Sequence, residues 1–168
     1  MTGKRPSETR VITSVVMLPE DANPAGNVHG GVIMKHIDTA AGVVAVRHSH
    51  GNAVTASIDK IEFHHPVYVG NLLTMKASLN MVGRTSMEIG VRVETENILT
   101  GELRHTASAY LTFVALDRDG KPREIPPLIL ETESESRRNK EAHNRRATRL
   151  AERTREKACQ IDSASCEL

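Results

Sequence analysis

The sequence predicts an α+β domain in which one long antiparallel sheet curves around a single central helix. A β-branched run comes first, and a long apolar segment with helical spacing follows it. Four further strand-like runs come next, and mostly tight turns join them. Short turns force neighbouring strands to be antiparallel. Because such a sheet must cover its apolar face, we expect the single apolar helix to be that cover.

The first strand is predicted at residues 10–17 (RVITSVVM), and a loop at 18–28 precedes a helix over about 30–47. Pro and Gly crowd residues 23–31 (NPAGNVHGG), which is typical of a loop. Between residues 37 and 46 only Asp38 and Thr39 are polar, so we expect this helix to be buried nearly all round. Its apolar residues recur at helical spacing: Val32, Ile33, Ile37, Ala41 and Val44.

Four more strands are predicted at residues 53–64, 71–82, 86–95 and 104–116. Pro66 stops the first of them, because proline cannot donate a ladder hydrogen bond. Turns at 83–84 and 97–101 separate the last three strands, and residues 117–120 (DRDG) end the sheet. We therefore assign residues 8–130 to one domain and residues 131–168 to a charged, helical C-terminal tail.

Composition excludes several classes of protein. Residues 1–130 hold 13 basic and 13 acidic residues, so nothing in the body demands a nucleic acid partner. No run is long enough to span a bilayer, and the N-terminus lacks the apolar core of a secretory signal. The cysteines, Cys159 and Cys166, lie in the last ten residues, so we expect no disulfide framework and a cytoplasmic location.

Three features of residues 23–38 point to chemistry on an acyl group. Asp38 is a carboxylate in an apolar helix. Burying a carboxylate costs free energy unless it is paired or takes part in catalysis, and the alternative is a structural contact that satisfies it. Gly30 and Gly31 open the helix, where free N–H groups favour a developing negative charge, although ordinary loop geometry also explains them. Asn23 could orient water or donate to an oxyanion, although Asn-Pro also begins many turns.

Motifs in this order resemble the hotdog-fold acyl-CoA thioesterases of the brain acyl-CoA hydrolase and YciA type. The similarity covers about residues 8–130. It is carried by residues 21–31 (DANPAGNVHGG), 34–38 (MKHID), 41–42 (AG), 54–59 (VTASID), Phe63, 69–70 (VG) and 83–88 (GRTSME). The resemblance implies a homodimer, assembled further into a trimer of dimers, that hydrolyses fatty acyl-CoA to free fatty acid and CoA.

The resemblance also implies roles for particular residues. Asp38 falls on the family's catalytic carboxylate, as general base or as nucleophile, and Asn23 falls on its active-site asparagine. The two groups are expected to face each other across the dimer interface. Gly30 and Gly31 are then the oxyanion region, with Gly31 as the catalytic glycine, and His29 is a neighbouring binding residue rather than the base.

The CoA portion of the substrate has weaker candidates. Arg84, Thr85 and Ser86 form a turn whose guanidinium and hydroxyls suit a phosphate, and a solvated turn is the equal alternative. Thr55 and Ser57 are candidates to line the pantetheine path. The basic run in residues 137–157 predicts a solvated surface helix with a thin apolar stripe at Ala147, Leu150, Ala151 and Ala158; a flap near the CoA phosphates is the alternative.

We expect no metal and no cofactor, because the eight histidines show no ligand spacing and no Gly-Lys-Ser/Thr phosphate loop is present. Two other functions remain as alternatives. One is a non-catalytic acyl-CoA sensor on the same fold, which would not need Asp38. The other is a hotdog enoyl-CoA hydratase, which usually requires an Asp/His pair in a different motif.

Overall fold

The computed structural model describes the backbone of residues 1–161 and the side chains of residues 1–158. The predictions for Cys166 and for the side chain of Cys159 therefore lie outside the described residues. Each predicted strand and the central helix are present, with ends shifted by at most two residues, and the C-terminal helix extends about four residues beyond each end of the basic run 137–157. In chain order the helices and strands are α1 (Pro6–Thr9), β1 (Val11–Val16), a 3-10 turn (Pro19–Asp21), α2 (Gly30–Ser49), β2 (Ala53–Phe63), β3 (Asn71–Val82), β4 (Ser86–Asn97), β5 (Glu102–Ala115) and α3 (Glu133–Ile161).

The five strands form one antiparallel sheet in the spatial order β1-β3-β4-β5-β2. Within residues 1–161, the outer sides of the two edge strands, β1 and β2, therefore pair with no other strand. The predicted architecture, one helix covered by one long sheet, is confirmed, and it is the hotdog arrangement. Because β2 follows α2 directly, the central helix and this edge strand lie next to each other.

The core lies between α2 and one face of the sheet, which we call the inner face. Alternating residues of the three central strands point into it, as the period of a strand requires. Aliphatic side chains fill it almost entirely, as the scarcity of aromatic residues predicts. Its members include Leu73, Met75, Leu79, Met87, Ile89, Val93, Leu111 and Phe113, together with Ile33, Ile37, Ala41 and Val44 of α2.

The prediction that α2 is buried nearly all round is wrong for the single chain. The sheet covers only one side of the helix, so Ile37 and Val44 are fully buried while Met34 is 41% exposed and Val43 and Val46 are also exposed. An apolar helix face that the chain itself leaves uncovered is typical of an interface.

Helix α3 packs on the opposite, outer face of the sheet, and the predicted apolar stripe is not what holds it. Ala147, Leu150 and Ala151 are exposed, whereas Ala142 is fully buried. Arg145 forms two hydrogen bonds, of 2.6 and 3.2 Å, with the fully buried carboxylate of Glu88 on β4. The purely solvated helix of the sequence interpretation is therefore also wrong, because a buried ion pair attaches it.

The C-terminal end of α2 is fastened to residues from both ends of the domain. The Lys4 ammonium donates to the carbonyls of Arg47 and His48, at 3.2 and 2.8 Å. The buried His48 ring makes a 2.7 Å hydrogen bond through Nε2 with the Pro126 carbonyl. The two Lys4 contacts supply partners for carbonyls in the last turn of the helix, which have none within it, and the His48 contact fastens the helix to the segment before α3. No helix within residues 1–161 combines the length and the apolar character that crossing a bilayer requires.

Candidate active site

The N-terminus of α2 presents two free backbone donors. His29 is the N-cap residue, and its carbonyl accepts hydrogen bonds from the N–H groups of Val32 and Ile33, at 2.9 and 3.3 Å. Among residues 1–161, the N–H groups of Gly30 and Gly31 have no acceptor. The structure therefore places both glycines where the sequence predicts an oxyanion site, at the positive end of the helix dipole.

Asn23 lies beside this helix end, in a loop that its own side chain holds. Its Oδ1 accepts hydrogen bonds from the backbone N–H groups of Ala25 and Asn27, at 2.9 and 3.3 Å. A cavity of about 320 Å³ joins Asn23 and Gly30, and its other walls include Ile33, Phe63, His64 and Val67. Among the described residues the amide nitrogen of Asn23 has no hydrogen-bond acceptor, so it is available to a molecule in this cavity.

Asp38 lies on the side of α2 that faces the edge strand, where it is half-buried rather than buried as predicted. The Thr55 hydroxyl donates a 2.6 Å hydrogen bond to its Oδ1. One hydroxyl satisfies one of the two carboxylate oxygens and fixes the side-chain rotamer. The other oxygen is left to act on a substrate or on water.

Asn23 and Asp38 lie in different parts of the single chain. Asp38 is eight residues after Gly30 on one helix, which separates them by about 12 Å along its axis at 1.5 Å per residue. The ring of Phe63, at the end of β2, is next to Gly30, whereas Thr55, near the start of β2, contacts Asp38. The candidate residues therefore form two groups, or candidate half-sites, near the two ends of the edge strand.

Thr55 and Ser57 do not lie together, contrary to the prediction that both line one path. The pairing of β2 with β5 shifts between them, since Thr55 faces Phe113 and Ser57 faces Thr112. This bulge turns Ser57 to the outer face, where its hydroxyl lies 3.3 Å from Oδ1 of Asp59. Only Thr55 remains near Asp38.

The turn 83–86 joins β3 to β4 at the end of the sheet where Thr55 lies. Its hydrogen bond runs from the Gly83 N–H to the Ser86 carbonyl, at 2.7 Å, and Ser86 pairs with Val114, which also pairs with Val54 of β2. The Arg84 side chain is 82% exposed, and Glu124 lies 3.9 Å away. The guanidinium forms only this long, exposed ion pair, so it is accessible to an anion, together with the neighbouring Thr85 and Ser86.

Two histidines near the Asn23 cavity, His64 and His105, are not among the site residues that the sequence predicts. His64 lines it, and its ring lies 5.1 Å from that of His105 on β5. Burial, with the nearby charge of Arg92, lowers the pKa of His105 below its ordinary value. No local pattern marks these residues, because the fold brings them together. Within residues 1–161, no three His, Cys, Asp or Glu side chains are grouped closely enough to hold a metal ion.

Comparison with known sequences identifies a family. Residues 25–102 match the model of the Thioesterase superfamily. Protein VdlD of Helicobacter pylori is 40% identical over 141 residues, which cover 84% of this chain and 80% of that protein. The uncharacterized acyl-CoA thioester hydrolase YkhA of Bacillus subtilis is 38% identical over 76% of this chain and 74% of its own length. The mouse cytosolic acyl coenzyme A thioester hydrolase is 40% identical over 76% of this chain, which is 34% of its own length.

Solved structures agree with this assignment. An apo-hexameric acyl-CoA thioesterase superposes with a TM-score of 0.87 and 36% identity, covering 90% of this chain and 97% of its own. The acyl-CoA hydrolase of Staphylococcus aureus, solved with butyryl-CoA, CoA and CoA disulfide, has a TM-score of 0.87 and 31% identity over 96% of this chain and 99% of its own.

Variants of the S. aureus protein have also been solved, in which one asparagine, one aspartate or one threonine is replaced by alanine. In that protein the substituted asparagine and aspartate are 15 residues apart, and the substituted aspartate and threonine are 17 apart. By its sequence and its fold, the present chain belongs to the Thioesterase superfamily and, within it, to the acyl-CoA thioester hydrolases.

Proposed function

We propose that this chain hydrolyses acyl-CoA thioesters to free fatty acid and CoA at a site that two subunits share. One subunit contributes Asp38 and Thr55, and the other contributes Asn23 with the N–H groups of Gly30 and Gly31. The observation that carries the proposal is the separation of the two half-sites within a single chain. Each half holds groups that thioester hydrolysis needs, and neither half holds all of them.

The edge strand offers a simple way to join the halves. In the described part of the chain, β2 is unpaired on one side, and Ile58 and Phe63 are exposed along it, as Met34 is on the adjacent helix face. Antiparallel pairing of two β2 strands would reverse one relative to the other. The Phe63 end of one strand would then lie opposite the Thr55 end of its mate, so each Asn23 would approach the other subunit's Asp38.

The chemistry follows from the charges of these groups. Attack on the thioester carbonyl places negative charge on its oxygen, which the free N–H groups of Gly30 and Gly31 are aimed to stabilise. Asp38, positioned by Thr55, acts as a general base that takes a proton from the attacking water, or as a nucleophile that forms an anhydride before water enters. The C–S bond breaks in either route, and the CoA thiolate takes up a proton as it leaves.

Two further observations support these residue roles. Asn23 and Asp38 are 15 residues apart, and Asp38 and Thr55 are 17 apart, which are the spacings of the three substituted residues in the S. aureus variants. The exposed Arg84 turn lies at the same end of the sheet as Thr55. It is our candidate for the CoA phosphates, with Thr85 and Ser86, and His29 borders the oxyanion region.

We extend the proposal to assembly and location. The relatives solved as hexamers suggest that the β2-paired dimers of this chain assemble as a trimer of dimers. The mouse relative is named as a cytosolic enzyme, and we propose a cytoplasmic location for this chain as well. No metal ion and no nucleic acid has a part in the proposed reaction.

Subunit complementation tests the shared site. Asn23→Ala and Asp38→Ala proteins are each expected to be inactive. Mixed in equal amounts, unfolded and refolded together, they should give half heterodimers, each with one intact site. The mixture should therefore recover about a quarter of wild-type turnover, because one site in four contains both intact halves.

The double variant, with both substitutions in one chain, is the matched control for this experiment. Refolded with wild type in equal amounts, it gives heterodimers in which each site has lost one half. The turnover per wild-type subunit should therefore be lower in this mixture than in wild type refolded alone. Recovery near zero in the first mixture, with heterodimers detected by mass spectrometry, would contradict the shared site.

A further inference from the structure

Helix α3 crosses the outer face of the sheet and meets the strands in their spatial order. Asn139 donates to the Asn80 carbonyl of β3 at 2.8 Å. Arg145 then reaches Glu88 of β4 and stacks on the Tyr110 ring of β5, 3.8 Å from its centre. Arg149 pairs with Asp59 of β2, the edge strand.

The length of this path fixes the direction of the helix. The ten residues from Asn139 to Arg149 advance about 15 Å along the axis at 1.5 Å per residue. The strands beneath them, β3 to β2, span three spacings of about 4.8 Å, or about 14 Å. The helix therefore runs nearly at right angles to the strands and reaches the edge of the sheet at Arg149.

The helix does not end at this edge. From Leu150 to Ala158 every side chain is exposed, and α3 continues to Ile161. Those nine residues extend about 13 Å beyond β2, which is almost three further strand spacings. A helical segment this short has little stability of its own, and a surface beneath it would stabilise it.

The projecting segment carries charges on the side that faces the sheet. Glu152, Arg153 and Glu156 lie three, four and seven residues after Arg149, and so share its face of the helix. Among the described side chains none of these three has an ion-pair partner.

The outer face of β2 carries complementary charges. Lys60 and Glu62 form an exposed 2.7 Å pair there, opposite Tyr110 and Ser108 of β5. Beyond its own β2, the segment would meet the same two side chains on the β2 of a paired subunit. Each sign of charge on the helix therefore has an opposite charge within that short stretch of strand.

We propose that residues 150–158 of α3 dock on a second copy of this chain, over the outer face of its β2 strand. The two helices of a dimer would then strap the joined sheet on the side away from α2. This contact rests on the β2 pairing in the proposed function, because the segment points past that edge. The helix contact would hold the two subunits together on the outer face of the joined sheet, in addition to the hydrogen bonds between the paired β2 strands.

Disulfide trapping in the full chain tests this contact. Cysteines are introduced by Arg153→Cys and Lys60→Cys in a background with Cys159→Ser and Cys166→Ser, and the protein is mildly oxidised. The expected product is a covalent dimer on a non-reducing gel. Ala151→Cys with Lys60→Cys is the matched control, because residue 151 is turned about 200° from Arg149 and faces away from the sheet.

A second measurement uses charge alone and needs no cross-link. Reversing Glu152, Arg153 and Glu156 together should raise the dissociation constant of the dimer about tenfold by sedimentation, with helical content unchanged in circular dichroism. Reversing the exposed pair Arg137 and Glu141, far from the edge, should leave it unchanged.

Three results would overturn the α3 contact: equal covalent dimer from both cysteine pairs, an unchanged dissociation constant after charge reversal, or a monomeric wild-type protein. Failure of the proposed function is recorded separately, as absence of CoA release. An inactive protein that cross-links refutes the function and retains the contact, whereas an active dimer that does not cross-link refutes only the contact.

Discussion

The substitution Arg145→Met should destabilise the protein by about 3–5 kcal/mol, as is typical when one partner of a buried ion pair is removed. Glu88 is fully buried and accepts three hydrogen bonds, two from Arg145 and one of 3.1 Å from Asn80. The variant retains only the Asn80 amide. Two charge-assisted hydrogen bonds at about 1.5–3 kcal/mol each give a similar figure.

Urea denaturation followed by circular dichroism, at one fixed protein concentration, measures this loss. With a denaturant slope of about 2 kcal/mol per molar, the midpoint should fall by about 1.5–2.5 M. Arg137→Met is the matched control, because Arg137 is 66% exposed and forms a surface pair with Glu141. It should change the free energy of unfolding by less than about 0.5 kcal/mol.

The double variant Arg145→Met with Glu88→Leu separates the ion pair from the rest of the contact. It leaves no buried charge, so it should recover most of the lost stability. A midpoint for Arg145→Met close to that of wild type, or a double variant as unstable as the single one, would refute the assignment of Glu88 as a buried anion held by α3.

Other predictions follow from single contacts. Thr55→Val removes the hydrogen bond to Asp38 and should lower kcat about 10–100-fold with an unchanged melting temperature; an unchanged kcat would contradict a positioning role. Arg84→Gln should raise KM for acyl-CoA about tenfold with kcat unchanged, and an unaltered KM would exclude it from the phosphate site. Burial, despite the hydrogen bond to the Pro126 carbonyl, lowers the pKa of His48 below its ordinary value, so the unfolded chain takes up its proton first as pH falls. Stability should therefore decline below about pH 6.5, and His48→Gln should flatten the melting temperature between pH 5.5 and 7; an equal slope in both proteins would contradict this.

The sequence predicts the sheet well because its strands follow local rules. The strand 71–82 is predicted with its observed ends, since a Gly-Arg turn closes it and its apolar residues alternate. The α2 helix is predicted to within two residues at its end. His50, in the left-handed conformation at φ 49°, ends the helix. A histidine at this position is a weaker sequence signal for a helix end than a glycine.

The site is less accessible to sequence reasoning, because its halves meet only through tertiary and quaternary contacts. The period of a strand predicts that Thr55 and Ser57 share a face, and a bulge between them, which no local residue signals, reverses that. The Glu88–Arg145 pair joins residues 57 positions apart. A glutamate on an apolar strand indicates only that some cation must cover it.

Thioester hydrolysis by a carboxylate at residue 38 is best tested by measuring CoA release from a panel of acetyl-CoA to palmitoyl-CoA, with wild type beside Asp38→Asn. Product is followed by chromatography, because Cys159 and Cys166 would react with a thiol dye. Rapid release by wild type and its loss in the variant are expected if Asp38 takes part in the hydrolysis. Tight binding without release by wild type, or equal release by both proteins, would contradict hydrolysis by a carboxylate at residue 38.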